Sequence, residues 1–241
     1  GTAQVAALGS AFVDVLSSAQ ISALSTAQVA ALSTTNLNVL SGSDVGSLTT
    51  KQVAALGTAQ VAALGTAQLV GLGTAGLATL SSAQLVQIST DKIGQLSTAQ
   101  LASLSSSQVA ALSSSQLNAL GSAQVLALET QDLVAIGTAQ VAALGTAFVD
   151  VLSSAQLSAL STAQVGALST TNLNVLSGSD VGSLTTKQVA ALGTAQVAAL
   201  GTAQLVGLGT AGLATLSSAQ LVQISTDKIG QLSTAQLASL G

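Results

Sequence analysis

The sequence predicts an all-α solenoid of very short helices. Each helix makes about one and a half turns, one helix forms per eight residues, and a Val/Leu core holds the stack together. Three observations carry this. An eight-residue phrase, typified by Ser25-Thr26-Ala27-Gln28-Val29-Ala30-Ala31-Leu32, repeats thirty times without a gap from Gly1 to Leu240, and Gly241 opens a thirty-first copy. Position 5 of every octad is Val, Leu or Ile, and position 8 is Leu except at Ile88, Ile136 and Ile224. Positions 1 and 2 are small and mostly hydroxylic, with exceptions at Glu129, Gly42 and Gly178.

Apolar residues three apart share one face of a helical turn, and the strict alternation of a strand is absent. One continuous helix is a poor account. Eight residues overrun two full turns by ~80°, so the Val/Leu stripe would wind around the axis and face no single partner. Recurrent Ser, Thr and Gly would also weaken such a helix. Broken helices fit better. The residue at position 1 caps the helix, and the residue at position 4, Gln in nineteen octads, reaches back in a capping box. The same small residue follows the Leu at position 8, where Gly tolerates a left-handed corner. Helices this short are marginal alone, so positions 5 and 8 must point into a core shared by stacked octads. Two, three or four octads per turn are all compatible with the phrase. A β-solenoid is the rival fold, because Val, Thr and Gly are common.

Composition limits function. The net charge is −4, from four Lys, no Arg and eight acids. Nucleic acid demands clustered basic side chains, and an anionic membrane surface demands the same. A transmembrane helix needs ~20 mainly apolar residues in a row. Here Ser, Thr, Gly and Gln interrupt every octad. Cys, Met, Trp, Tyr, His and Pro are absent, and Phe12 and Phe148 are the only aromatic residues. No cofactor and no metal centre is expected from this inventory.

Along the chain, residues 33–56 vary most, with Asn36, Asn38, Gly42, Asp44, Gly46 and Lys51. Asp91 and Lys92 read as a solvated pair. Residues 137–240 repeat residues 1–104 with three differences, Ser10 to Thr146, Ile21 to Leu157 and Ala30 to Gly166. The offset, from Gly1 to Gly137, is seventeen octads. The expectation is one continuous solenoid over 1–241, made of a seventeen-octad unit (1–136) and a partial second copy (137–241). Both ends lie in phase with the repeat, as expected of a segment from a longer array.

Candidate sites are few. Ser and Thr are abundant, but a hydroxyl without an adjacent base is a poor nucleophile, and capping explains it. The chain is not expected to be an enzyme. Calcium needs several converging oxygen ligands, and local spacing offers only Glu129 with Asp132. Asp44, its counterpart Asp180, and Asp132 fall at the capping-box position. Phe12 and Phe148 replace Gln on an expected rim, where they would mark a lateral contact or pack on the next layer. Phe12, Phe148, Asp44 and Asp180 are the candidate contact positions. The Thr/Ser column at position 2 would align hydroxyls beside Ala methyls. It would either serve the corners or present a surface to ice or carbohydrate.

The repeated L-S-T-A-Q-V-A-A-L resembles the repeat arrays of very large bacterial surface or secreted proteins, often labelled adhesion or haem-utilisation proteins. The resemblance covers the whole chain. It implies export, surface attachment and a structural or adhesive role, with no catalytic residues to carry over. The haem label finds no axial ligand here, since His, Met, Cys and Tyr are missing. The expected role is an extracellular spacer, stalk or self-associating filament segment, able to associate laterally or end to end. The alternative is an ice- or carbohydrate-binding module along the position-2 hydroxyls, with a surface or glycan ligand.

Overall fold

The computed structural model describes residues 1–240, and among them it holds thirty short α-helices and no strand. They run from α1 (Thr2–Ala6) to α30 (Thr234–Ala238), one per octad, so that helix number and octad number coincide. The all-α solenoid is the observed fold. The chain divides into two compact units, Gly1–Leu128 and Glu129–Gly241, and each is described by itself.

The octad folds as its chemistry dictates. Position 1 is extended and caps the helix, which begins at position 2. In α4 (Thr26–Ala30), Ser25 Oγ accepts from Gln28 N at 3.2 Å and Gln28 Oε1 accepts from Ser25 N at 2.8 Å. Where position 1 is Gly, only the glutamine half of the box remains, as Gly57 N donates to Gln60 Oε1 at 2.7 Å. The helix tightens at its end, where the position-8 N–H donates to the position-5 carbonyl, for example Leu64 N to Val61 O at 3.2 Å.

The corner is two extended residues, such as Leu64 (φ −56°, ψ 132°) and Gly65 (φ −76°, ψ 168°). The left-handed corner that Gly at position 1 would tolerate is therefore not the rule. Among the described residues only Gly73 and Gly209 have positive φ, both +64°. An extended N-cap serves as both the exit from one helix and the entry to the next, so no left-handed residue is needed.

Positions 5 and 8 face inward. Val61, Leu64, Leu69, Leu77, Val109, Leu112 and Leu117 are fully buried in the first unit. Val165, Leu173, Val197, Leu200 and Leu205 are fully buried in the second. Positions 2, 3 and 6 are mostly exposed, which leaves an outer surface of Thr, Ser and Ala.

The turn is neither two octads nor a whole number of them. Within each unit, helices pack on the third one along. In the first unit α5 (Thr34–Val39) meets α8 (Thr58–Ala63), and α13 (Thr98–Ala102) meets α16 (Ser122–Ala127). In the second, α18 (Thr138–Ala142) meets α21 (Thr162–Ala167). Yet side-chain hydrogen bonds between turns reach 28 and 31 residues back, into the fourth octad before. One turn thus lies between three octads and four. The start of each helix sits over a corner of the turn beneath.

Candidate functional site

The repeated feature with the most specific geometry is position 4. A helix of five or six residues leaves nearly all its backbone groups without an intrahelical partner. The position-1 hydroxyl and the glutamine Oε1 satisfy donors at the start. The glutamine Nε2 satisfies carbonyls of the turn beneath. Gln60 Nε2 donates to Leu32 O at 2.7 Å and Val29 O at 3.0 Å, the position-8 and position-5 carbonyls of octad 4. Gln68 does the same to Leu40 (2.7 Å) and Leu37 (2.6 Å), and Gln116 to Ile88 (2.8 Å) and Leu85 (3.1 Å). The second unit repeats this with Gln196 on Leu168 and Val165, and Gln204 on Leu176 and Leu173. These glutamines are buried, and among the described residues no buried side-chain nitrogen or oxygen lacks a partner.

Capping alone did not reveal this. A capping box needs only an acceptor, which Glu supplies as well as Gln. Position 4 holds Gln nineteen times and Glu never. That exclusion is the signal that the amide hydrogens are used. Other donors substitute at the same place. Asn36 Nδ2 donates to Leu8 O at 3.0 Å, Asn172 Nδ2 to Leu144 O at 2.9 Å, and Lys92 Nζ to Ala62 O at 2.9 Å. The reading of Asp91 and Lys92 as a solvated pair is corrected accordingly. The ammonium is committed to the backbone of the turn beneath, as is that of Lys228, on Ala198 O at 2.9 Å.

The candidate contact residues all occupy position 4, and the structure separates them. Phe148 is 2 % exposed and so is not a surface contact position, while Phe12 is 54 % exposed. Position 4 is not a rim. It faces an adjacent turn, as the buried glutamines at this position show. Asp44 and Asp180 are half-buried and act as cap acceptors. Asp44 Oδ2 accepts from Ser41 N (3.0 Å) and Ser41 Oγ (2.6 Å), and Oδ1 accepts from Ser18 Oγ at 3.3 Å. Asp180 accepts from Ser177 N (2.9 Å) and Oγ (2.6 Å). The Ser41 hydroxyl, ahead of its backbone amide and Ser18, holds the Asp44 carboxyl below its ordinary value; slight desolvation opposes it. In each case the Ser41 or Ser177 donors are set by the N-cap geometry of the helix that the aspartate belongs to.

Asp132 is buried and accepts from Glu129 N at 3.0 Å, while Glu129 Oε2 accepts from Gln131 Nε2 at 2.6 Å. The described residues contain no group of three or more His, Cys, Asp or Glu that could hold a metal ion. None of their helices is long and apolar enough to cross a membrane.

The position-2 hydroxyls do not serve the corners. Capping belongs to position 1, and position 2 is the first helical residue with its side chain outward, as at Thr26, Thr58 and Thr66.

A family model described as an ALTTAQ repeat matches residues 1–34, 37–74, 61–98, 93–130, 125–162, 149–178 and 178–210. No curated protein matches the chain.

Proposed function

The chain belongs to the ALTTAQ repeat family, and on that premise we propose that it is a structural spacer, a non-catalytic segment whose repeat number sets its length. The observation that carries the reading is the recurrent glutamine bond from turn to turn within each unit. A typical octad brings its own cap, its own pair of core residues and its own tie to its neighbour. Stability in such arrays is a sum over units and their nearest-neighbour interfaces. Octads can therefore be added without redesigning the whole. The likeness to repeat arrays of giant bacterial surface or secreted proteins supports an extracellular or cell-surface setting and a stalk or filament within an adhesin-like protein. A nearly uncharged Thr/Ser/Ala exterior supports self-association, since colloidal repulsion is small.

Small-angle scattering and electron microscopy on the 241-residue chain and on a version lengthened by one seventeen-octad unit test this. The spacer reading expects a long dimension that grows in proportion to octad number. A compact particle whose dimensions grow only with the cube root of mass would overturn it. Ordered bundles or fibres in the micrographs would assign the filament role within the same reading.

A second reading, an ice- or carbohydrate-binding surface, is favoured by one observation. The N-caps are at position 1, and most position-2 hydroxyls point outward. Thermal hysteresis and glycan-array measurements decide it, and a null in both removes it.

A further inference from the structure

We propose that octads 6 to 10 (residues 41–80), and their counterparts octads 23 to 27 (177–216), are built-in opening points, where neighbouring turns part first under heat or mechanical load. Three features coincide there, and the second unit repeats each of them.

The first is a missing tie. In octads 7, 8 and 9 the position-4 glutamines Gln52, Gln60 and Gln68 donate to the turn beneath. Octad 6 has Asp44, a carboxylate with no hydrogen to give, already occupied as an acceptor from Ser41. Its one bond to an earlier turn is a long one, accepted from the exposed Ser18 hydroxyl at 3.3 Å. Octad 10 has Gly76, with no side chain at all. Asp180 and Gly212 stand at the same places in the second unit.

The second is the packing of α6 (Gly42–Gly46) on α9 (Thr66–Gly71). A Cβ on Gly42 would collide with Ala67 O, and one on Gly71 with Gly42 O. The two backbones touch directly, so this contact depends on glycine rather than on large side chains. Gly178, Ala203 and Gly207 repeat the arrangement between α23 (Gly178–Gly182) and α26 (Thr202–Gly207). Glycine also loses the most conformational freedom on folding and is a poor helix former.

The third is the corner between α9 and α10 (Gly73–Thr79). Leu72 is helical there (φ −55°, ψ −24°), and Gly73 carries the turn at φ +64° without a side-chain cap. The Leu72 carbonyl accepts from Gly76 N. Gln100, from the turn above, reaches Leu69 O and Val70 O instead of the usual position-8 carbonyl. Octad 6 is therefore without a glutamine tie on either side, because Gly76 sends no side chain to it, while octad 10 is still held from above by Gln108 on Leu77 O, Ala78 O and Leu80 O. Segments with few such ties open at lower free energy than the rest of a structure.

Hydrogen exchange of the full chain, read by mass spectrometry on the wild type and on Asp44→Gln, tests the proposal. The reference is α15 (Ser114–Asn118) and α16, where Gln116 and Gln124 are tied down. Amides of α6 should exchange on the order of tenfold faster than those of the reference helices. Asp44→Gln supplies the missing amide and should slow exchange in α6 while leaving α15 unchanged. Asp44→Asn, which copies the Asn36 solution, should move it in the same direction. Equal exchange in α6 and α15 would overturn the proposal. So would unchanged α6 protection in both variants.

Discussion

The side-chain amide of Gln60 spans two turns at once: Oε1 accepts from Gly57 N at 2.7 Å, and Nε2 donates to Leu32 O, 28 residues earlier, at the same distance. One side chain therefore closes a local cap and a long-range tie. Replacing Gln60 by Leu keeps the volume and removes both. The Gly57 amide and the buried Leu32 carbonyl lose a partner, at a cost of about 2 kcal/mol or more. Chemical denaturation of Gln60→Leu against the wild type measures it; a change within error would show that the amide bonds are not stabilising.

Gln60→Glu separates the two roles. The carboxylate keeps the acceptor for Gly57 but directs negative charge at the Val29 and Leu32 carbonyls. Its folded-state pKa is then raised above the ordinary Glu value of about 4.3. A raised carboxyl pKa means stability present below that unfolded value and lost as pH rises through the folded one. The unfolding midpoint of Gln60→Glu should lie below that of the wild type at pH 7 and approach it near pH 4.

Asp44 titrates in the opposite sense. Its carboxyl is held below the usual 3.8 by the Ser41 hydroxyl first, then by the Ser41 amide and Ser18. A depressed pKa contributes stability that is present above 3.8 and lost as pH falls through the folded value. The advantage of wild type over Asp44→Ala should be steady from pH 7 to 5 and shrink below pH 4. Thermal midpoints across that range check it.

Glycine substitutions should divide by backbone conformation. Gly73 sits at φ +64°. Gly73→Ala forces a Cβ into that left-handed geometry and should cost about 1–2 kcal/mol. Gly57 is an extended N-cap at φ −71° and ψ 159°. Gly57→Ser should be neutral or stabilising by a few tenths of a kcal/mol, because it copies the Ser25 cap. Equal destabilisation by the two, measured by chemical denaturation, would contradict the corner geometry.

In the core, Leu117 is a fully buried position-5 side chain. Leu117→Ala should cost about 2–5 kcal/mol. Its helix, α15, packs on α12 (Thr90–Ile93), the third helix before it. Loss of protection should therefore centre on octads 12 and 15 and spare octads 13 and 14. Hydrogen exchange by octad resolves it.

Much of this was legible in the eight-residue phrase. Ser25 and Gln28 announce a capping box three residues apart, and Val29 and Leu32 announce the buried face. Both depend on neighbours in sequence, so local rules suffice. The left-handed corner that Gly at position 1 would tolerate occurs only at Gly73 and Gly209 among the described residues, because an extended cap already turns the chain. Position 4 reads as a rim from the octad alone. Whether it is buried depends on how the turns stack, and nothing within one octad states that.

The sequence by itself determined the octad: where each helix starts, which two side chains it buries, and that it cannot stand alone. Only the tertiary structure decided the pitch, between three and four octads per turn, because pitch is set by which carbonyls the glutamine Nε2 meets 28 and 31 residues away. A capping motif fixes one end of the Gln60 amide through neighbours three residues off. The other end is fixed only when the turns stack, and that stacking converts a repeated local motif into a continuous ladder within each unit.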